Sequence, residues 1–180
     1  MALGATVYTF EVALNDADRG VYETLAFRVA RHPSEHEGFL ATRVLAYCLE
    51  YTEGLAFSRG GLSDPDEPAL AIRDLTGVLK AWIEVGSPEG ARLHRAAKAA
   101  PRVVVYPHRD TALLLGRLRG ETIHRARDIE IREIDPALIT GFAAVLDRRM
   151  SLDLAISDSH LYMSAGTTTL DGPLVLHALG

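Results

Sequence analysis

Alternation of apolar and polar residues governs the amino-terminal part of the chain. Ala5 to Leu14 (ATVYTFEVAL) and Val21 to Arg31 (VYETLAFRVAR) place apolar side chains at every second position, the period of a strand with one buried face. The turn-rich NDADRG joins them, which predicts a long antiparallel hairpin. His32-Pro33 stops the second strand. Ser34 followed three residues later by Glu37 is a capping box, predicting a helix through LATRVLAYCLEY that ends at Gly54. LAFSRG reads as a short strand and GLSDPDEP as a loop. Ser87 and Pro88 offer an N-cap and first helical position for a helix through GARLHRAAKAA, and RVVVYP after Pro101 has the continuous apolar run of a buried strand. Together these predict a β-α-β crossover. DTALLLGRLRGE is helical in pattern, DIEIREI alternates, DPALITGFAAVLD is an N-capped helix, and SLDLAISD, HLYMSAG and PLVLHAL close with strands. The expected class is α/β: a mixed sheet with flanking helices.

Between Pro65 and Pro88 two alternating segments flank Thr76-Gly77. If those two residues form a tight turn, Arg73 faces Lys80, Ala71 faces Trp82, Ala69 faces Glu84 and Glu67 faces Gly86. Pro68, Leu70, Ile72, Leu79, Ala81, Ile83 and Val85 then share an apolar face. The other face collects Glu67, Arg73, Lys80, Trp82 and Glu84. On this register the backbones at Glu67 and Glu84 lie diagonally about 7–8 Å apart, near enough for both carboxylates to reach one Mg²⁺ or Mn²⁺. A solvated, charged strand face is the competing reading.

Composition narrows the setting without choosing between these readings. At 180 residues and 48% hydrophobic content the chain suffices for one domain, and its net charge of −5 commits it neither to nucleic acid nor to anionic membrane. The single cysteine, Cys48, lies in an apolar stretch and is expected to be a buried thiol. The amino terminus lacks the pattern of a secretory signal, and no stretch is apolar for long enough to span a membrane, so a soluble cytoplasmic protein is expected.

The order of RHPSE, GLSDPDEPAL, DLTG, AWIEVGSP and RVVVYP resembles the YaeQ family of small bacterial proteins, over nearly the whole chain. The resemblance implies a variant of the restriction-endonuclease-like, PD-(D/E)XK fold with added antiparallel strands. In that superfamily a first acid, often beside a proline, and a later (D/E)-x-K bind a divalent metal and activate water. By this likeness Glu67 beside Pro68 is the first acid, Glu84 the second, and Glu35 an assisting carboxylate. The lysine position is occupied by Gly86, so Lys80 on the same strand is the candidate catalytic replacement. Arg43 is another candidate cation, or else a salt-bridge partner for a glutamate, and Arg73 and Trp82 are candidate substrate contacts.

Other chemistries leave little trace. The seven histidines lack zinc spacing, and there is no phosphate-binding glycine loop, dinucleotide fingerprint or nucleophile elbow. Ser157-Asp158-Ser159-His160 has triad residue types at consecutive positions, a spacing better suited to a hairpin turn. Basic residues gather at Arg92, His94, Arg95, Lys98 and Arg102, and again at Arg117, Arg119, Arg125 and Arg127, where they could meet phosphates or simply form solvated helix faces. Two functions are therefore expected: a Mg²⁺- or Mn²⁺-dependent phosphodiesterase acting on nucleic acid, or a non-catalytic protein that binds nucleic acid or a protein partner on a degenerate nuclease-like scaffold.

Overall fold

Strands and helices alternate in the order anticipated. A computed structural model describes residues 4–59, 64 and 66–180. Its elements begin with β1 (Thr6–Asp16), β2 (Val21–Arg31), α1 (Glu37–Leu49), β3 (Leu55–Phe57), β4 (Leu70–Arg73), β5 (Leu79–Val85) and α2 (Gly90–Ala99). They continue with β6 (Arg102–Tyr106), α3 (Thr111–Leu118), β7 (Glu130–Ile134), α4 (Pro136–Val145), β8 (Arg149–Ser157), β9 (His160–Ala165) and β10 (Thr168–Ala178). Internal contacts gather in two compact units, residues 1–44 with 134–175, and 45–133 with 176–180. Most of the expected GLSDPDEP loop lies outside the described residues.

In the first unit β1 and β2 pair antiparallel along their full lengths, from Thr6 opposite Arg31 to Asp16 opposite Val21. β8 lies parallel to β1 on its other side, β9 pairs antiparallel with β8, and β10 with β9. Alternation sorts the side chains. Phe10, Val12, Leu14, Leu152, Leu154 and Ile156 are buried on one face, each contributing about 1.5–3 kcal/mol through lost apolar exposure. α4 covers that face. The Asp135 carboxylate accepts from the Leu138 N–H at 3.2 Å to cap it, and Phe142 meets Phe10 edge to face at 6.4 Å between centroids. Ser157 to His160 is the expected hairpin turn: the Asp18 carboxylate accepts from the Asp158 and Ser159 N–H groups, both at 2.8 Å.

The start of α1 differs from expectation. Ser34 does not cap it; the helix begins at Glu37, and His36 Nδ1 accepts from the Gly38 N–H at 3.0 Å. The carboxylate that reaches back three residues is that of Glu35, which accepts from the His32 N–H at 3.1 Å. The cap lies two residues past Ser34 because a histidine ring nitrogen, that of His36, serves as the acceptor.

In the second unit the strands run β3-β4-β5-β6-β7, with the first two pairings antiparallel and the next two parallel. The expected register holds where it was drawn through the strands, Ala71 opposite Trp82 and Ile72 opposite Ala81. The turn is different. Thr76-Gly77 is not a two-residue bend; Gly77 N–H donates to the Asp74 carbonyl and Asp74 N–H to the Val78 carbonyl, so the bend centres on Leu75 and Thr76. A bulge at Ile72/Arg73 moves Arg73 opposite Leu79 instead of Lys80 and absorbs the shift. Asp74 holds this loop by accepting from the Thr76 N–H and Oγ1 and the Val78 N–H, contacts that, led by the Thr76 hydroxyl, depress its carboxyl to about 2.

The helices of this unit explain which strand faces are dry. α1 ends against the face carrying Leu70, Ala81, Ile83 and Val104, all buried, and Tyr47 stacks on Phe57 at 4.8 Å. α2 and α3 cover the opposite face, where Trp82, Leu93, Ala96, Val103, Val105 and Leu118 form one apolar cluster. Ser87-Pro88 does not open α2, which starts at Gly90 with Glu89 as its N-cap residue.

Candidate functional site

β5 is buried on both faces along its second half, and this places Glu84 in an unusual setting. Trp82 and Glu84 lie beside Val103 and Val105 of β6, on the side roofed by α2. Both are nearly dry, at 4% and 5% exposure. A carboxylate there needs partners, since an unpaired buried charge is costly. Arg92, projecting from the first turn of α2, supplies them: its Nε donates to one Glu84 oxygen at 2.7 Å and its Nη2 to the other at 2.9 Å. The Trp82 indole N–H adds a third bond at 2.8 Å, and the guanidinium sits 5.5 Å from the Trp82 ring centre. Arg92 also donates to the backbone carbonyls of Glu67 at 2.6 Å and Asp64 at 3.1 Å. One guanidinium therefore ties α2, β5 and the segment before β4 together.

Glu67 faces a different neighbour. Its carboxylate accepts from the Ser58 hydroxyl at 2.7 Å and lines a cavity of about 340 Å³ with Phe57, Ser58, Arg59, Ala71 and Arg73. Arg73 is exposed and donates to the Gly77 carbonyl at 3.2 Å; Lys80 pairs with Asp74 at 3.3 Å, toward the turn. The fully polar strand face expected from the pattern is thus polar only near the turn. Beyond Lys80 the roof of α2 makes it dry, a tertiary effect that alternation within one hairpin does not encode.

Gly86, standing where the motif lysine is expected, has φ 106°, a backbone conformation that side-chain-bearing L-residues rarely adopt. Its N–H donates to the Tyr106 carbonyl at 2.9 Å as the chain leaves β5. The position serves the turn into α2.

Glu35 and Arg43 belong to the first unit and form a buried pair. Arg43 Nε and Nη2 reach the two Glu35 oxygens at 3.0 Å each, and Nη2 also donates to the Ala30 carbonyl at 2.7 Å. Of the two readings for Arg43, the salt bridge to a glutamate is the one that forms. Burial is the larger influence on both groups: it holds the Glu35 carboxyl above its usual value despite Arg43, and the Arg43 guanidinium below its own.

A second charged network, absent from the sequence reading, lies on the α1 side of the second unit's sheet. Glu50, just past α1 and 4% exposed, accepts from Arg102 at 2.6 Å, Arg132 at 3.0 Å and the Tyr106 hydroxyl at 2.6 Å. Arg102 also donates to Glu130 at 2.8 Å. Burial would raise the Glu50 carboxyl, but the bonds and charge of Arg102, with Tyr106 and Arg132, bring it below its usual value. Burial raises the Tyr106 phenol well above its own. The available signal was a charge inside an apolar run, as in AYCLEY and EIREI, the same anomaly that drew attention to Glu84.

The basic clusters resolve as mostly structural. Arg125 donates to the Ala97 and Ala100 carbonyls at 2.7 and 2.8 Å, closing the end of α2, and Arg117 donates to the Pro88 carbonyl at 2.7 Å. Arg95 and Lys98 stay exposed. Cys48 is buried and unbridged. No helix among the described residues is long and apolar enough to cross a membrane.

Comparison with known proteins supplies the lineage. The family model described as YaeQ protein matches residues 1–172. The YaeQ protein of Salmonella typhi is 29% identical over 172 residues, covering 95% of this chain and 94% of the relative. The crystal structure of YaeQ from Xanthomonas axonopodis pv. citri superposes with a TM-score of 0.87 at 31% identity, covering 97% of this chain and 98% of that one. That of YaeQ from Pseudomonas syringae gives 0.86 at 32%, covering 98% of both. Dense local motifs, mixed α/β topology and end-to-end similarity agree: the chain belongs to the YaeQ family.

Proposed function

We propose that this chain is a non-catalytic binding protein, built on a scaffold similar to that of the PD-(D/E)XK nucleases, whose ligand is nucleic acid. The element order α1-β3-β4-β5-α2-β6 supports the scaffold reading, since the superfamily places a helix before an antiparallel hairpin, then a crossover helix and a parallel strand. The observation that carries the non-catalytic reading is the Arg92–Glu84 fork. Both Glu84 oxygens are engaged by a guanidinium and one also by the Trp82 indole, while Glu67 is turned to Ser58. Among the described residues no group of three or more His, Cys, Asp or Glu side chains is placed to hold a metal ion. This donor set does not fit a Mg²⁺ or Mn²⁺ ion, which needs free oxygen lone pairs in near-octahedral array.

A cation does stand against the second acid, but it comes from α2 instead of the position two residues on. In this reading Arg59 and Arg73, lining the cavity beside Glu67, meet the phosphate backbone. Electrophoretic shift and cleavage assays on single- and double-stranded DNA and RNA, each with and without Mg²⁺, test it. Binding weakened by R59A/R73A, metal-independent and without turnover, is expected. Metal-dependent cleavage abolished by E84Q would overturn the reading and restore the phosphodiesterase. No binding to any nucleic acid would also overturn it and leave a protein partner.

A further inference from the structure

We propose that a shallow cavity on the outer face of the first unit's sheet binds the phosphomonoester of a sugar. It is independent of the hairpin acids. β1 turns Phe10 and Val12 into the core, so Thr9 and Glu11 project from the other face. The register sets Thr9 opposite Arg28 of β2 on one side and opposite Arg149 of β8 on the other. Glu11, next on that face, lies opposite Ala26 and Ser151. Thr9, Glu11, Arg28, Arg149, Met150 and Ser151 line a cavity of about 310 Å³.

Three charges of this cavity, Glu11, Arg28 and Arg149, are exposed to solvent. Among the described residues neither guanidinium has a hydrogen bond or ion pair, and neither does the Glu11 carboxylate. Arg43, Arg92, Arg102 and Arg132 are each engaged by an acid, whereas Arg28 and Arg149, like Arg95, have no acidic partner among the described residues and face solvent. Two strand spacings separate the β2 and β8 backbones, about 10 Å, so the guanidinium forks can converge over Thr9 from opposite sides. A tetrahedral oxyanion between them would accept from both forks and from the Thr9 hydroxyl, relieving the repulsion of two like charges on one face.

Glu11 selects what carries the phosphate. It stands about 7 Å further along β1. A bare anion would meet its repulsion, whereas a ligand with hydroxyls at that distance would donate to the carboxylate, as ribose hydroxyls do to acidic residues in nucleotide sites. The small side chains of Ala26 and Ser151 leave room beside it. The ligand class is therefore a phosphomonoester on a vicinal diol, supplied either by a free sugar phosphate or by a nucleotide.

The test is NMR titration of the full chain with ribose 5-phosphate, 2-deoxyribose 5-phosphate, adenosine 5′-monophosphate and inorganic phosphate. Saturable shifts at residues 9, 11, 28, 149 and 151 are expected for ribose 5-phosphate, with inorganic phosphate weaker. R28A/R149A should lower the affinity at least ten-fold. E11Q should retain phosphate binding and lose the preference for ribose over 2-deoxyribose. Adenosine monophosphate binding tighter than ribose 5-phosphate assigns the nucleotide as source; weaker binding assigns the free sugar phosphate. Absence of saturable shifts in the wild-type chain, affinity unchanged in R28A/R149A, or discrimination unchanged in E11Q would overturn the proposal.

Discussion

Arg92 grips both carboxylate oxygens of Glu84 from across the sheet–helix interface, at 2.7 and 2.9 Å. Removing one partner strands the other in a site that water scarcely reaches. R92A is expected to destabilise the fold by about 3 kcal/mol, the lower end for a broken buried pair because Arg92 is about a fifth exposed. The double variant E84Q/R92M should recover most of that loss, since neither charge remains to be desolvated. Urea unfolding of the single and double variants measures both values and their coupling.

Glu50 and Glu35 should respond to acid in opposite senses. The folded state lowers the Glu50 carboxyl below its ordinary 4.5, so the stability it contributes is complete above that pH and is lost as pH falls through the lowered value. E50Q should flatten the acid limb of the stability curve. Glu35 is raised above 4.5 by burial, so its contribution is present below that value and is lost as pH climbs through the raised one. E35Q should therefore gain on the wild type over that climb. Denaturant midpoints of the three proteins across pH 3–7 decide both signs.

The Glu35–Arg43 pair gives a further contrast. Burial outweighs mutual attraction for both groups, so the pair is expected to add little net stability. E35Q can keep one acceptor, for the His32 N–H and Arg43 Nη2, but sets its amide NH₂ against Arg43 Nε and removes the counter-charge, and should cost about 2 kcal/mol. R43A leaves Glu35 charged and unpaired and should cost about 3 kcal/mol. Thermal unfolding at neutral pH separates them.

Two glycines should respond oppositely to alanine. Gly54 has φ 87°, and a Cβ there would run into the Arg73 carbonyl oxygen, so G54A is expected to cost more than about 2 kcal/mol. Gly116 sits within α3 with nothing near its would-be Cβ, and G116A should stabilise by about 0.5–1 kcal/mol. Calorimetric midpoints provide the comparison.

Sequence pattern by itself determined the element order, the opening hairpin and the crossover, because alternation is local and repeats over many residues, whereas the register of Ala71 with Trp82 held because a bulge offset the displaced bend. It also picked out Glu84, a charge in a run that should be dry. Local signals failed by small offsets: His36 stands in for Ser34 at α1, and a bulge accompanies a bend moved off Thr76-Gly77 while sparing the register. Tertiary structure alone decided what the charges do. Whether Glu84 meets a metal ion or Arg92, and whether Glu50 gathers two arginines from β6 and β7, depends on which faces α1 and α2 cover. Those faces are set by packing between segments far apart in the chain, and a one-dimensional pattern carries no record of that pairing.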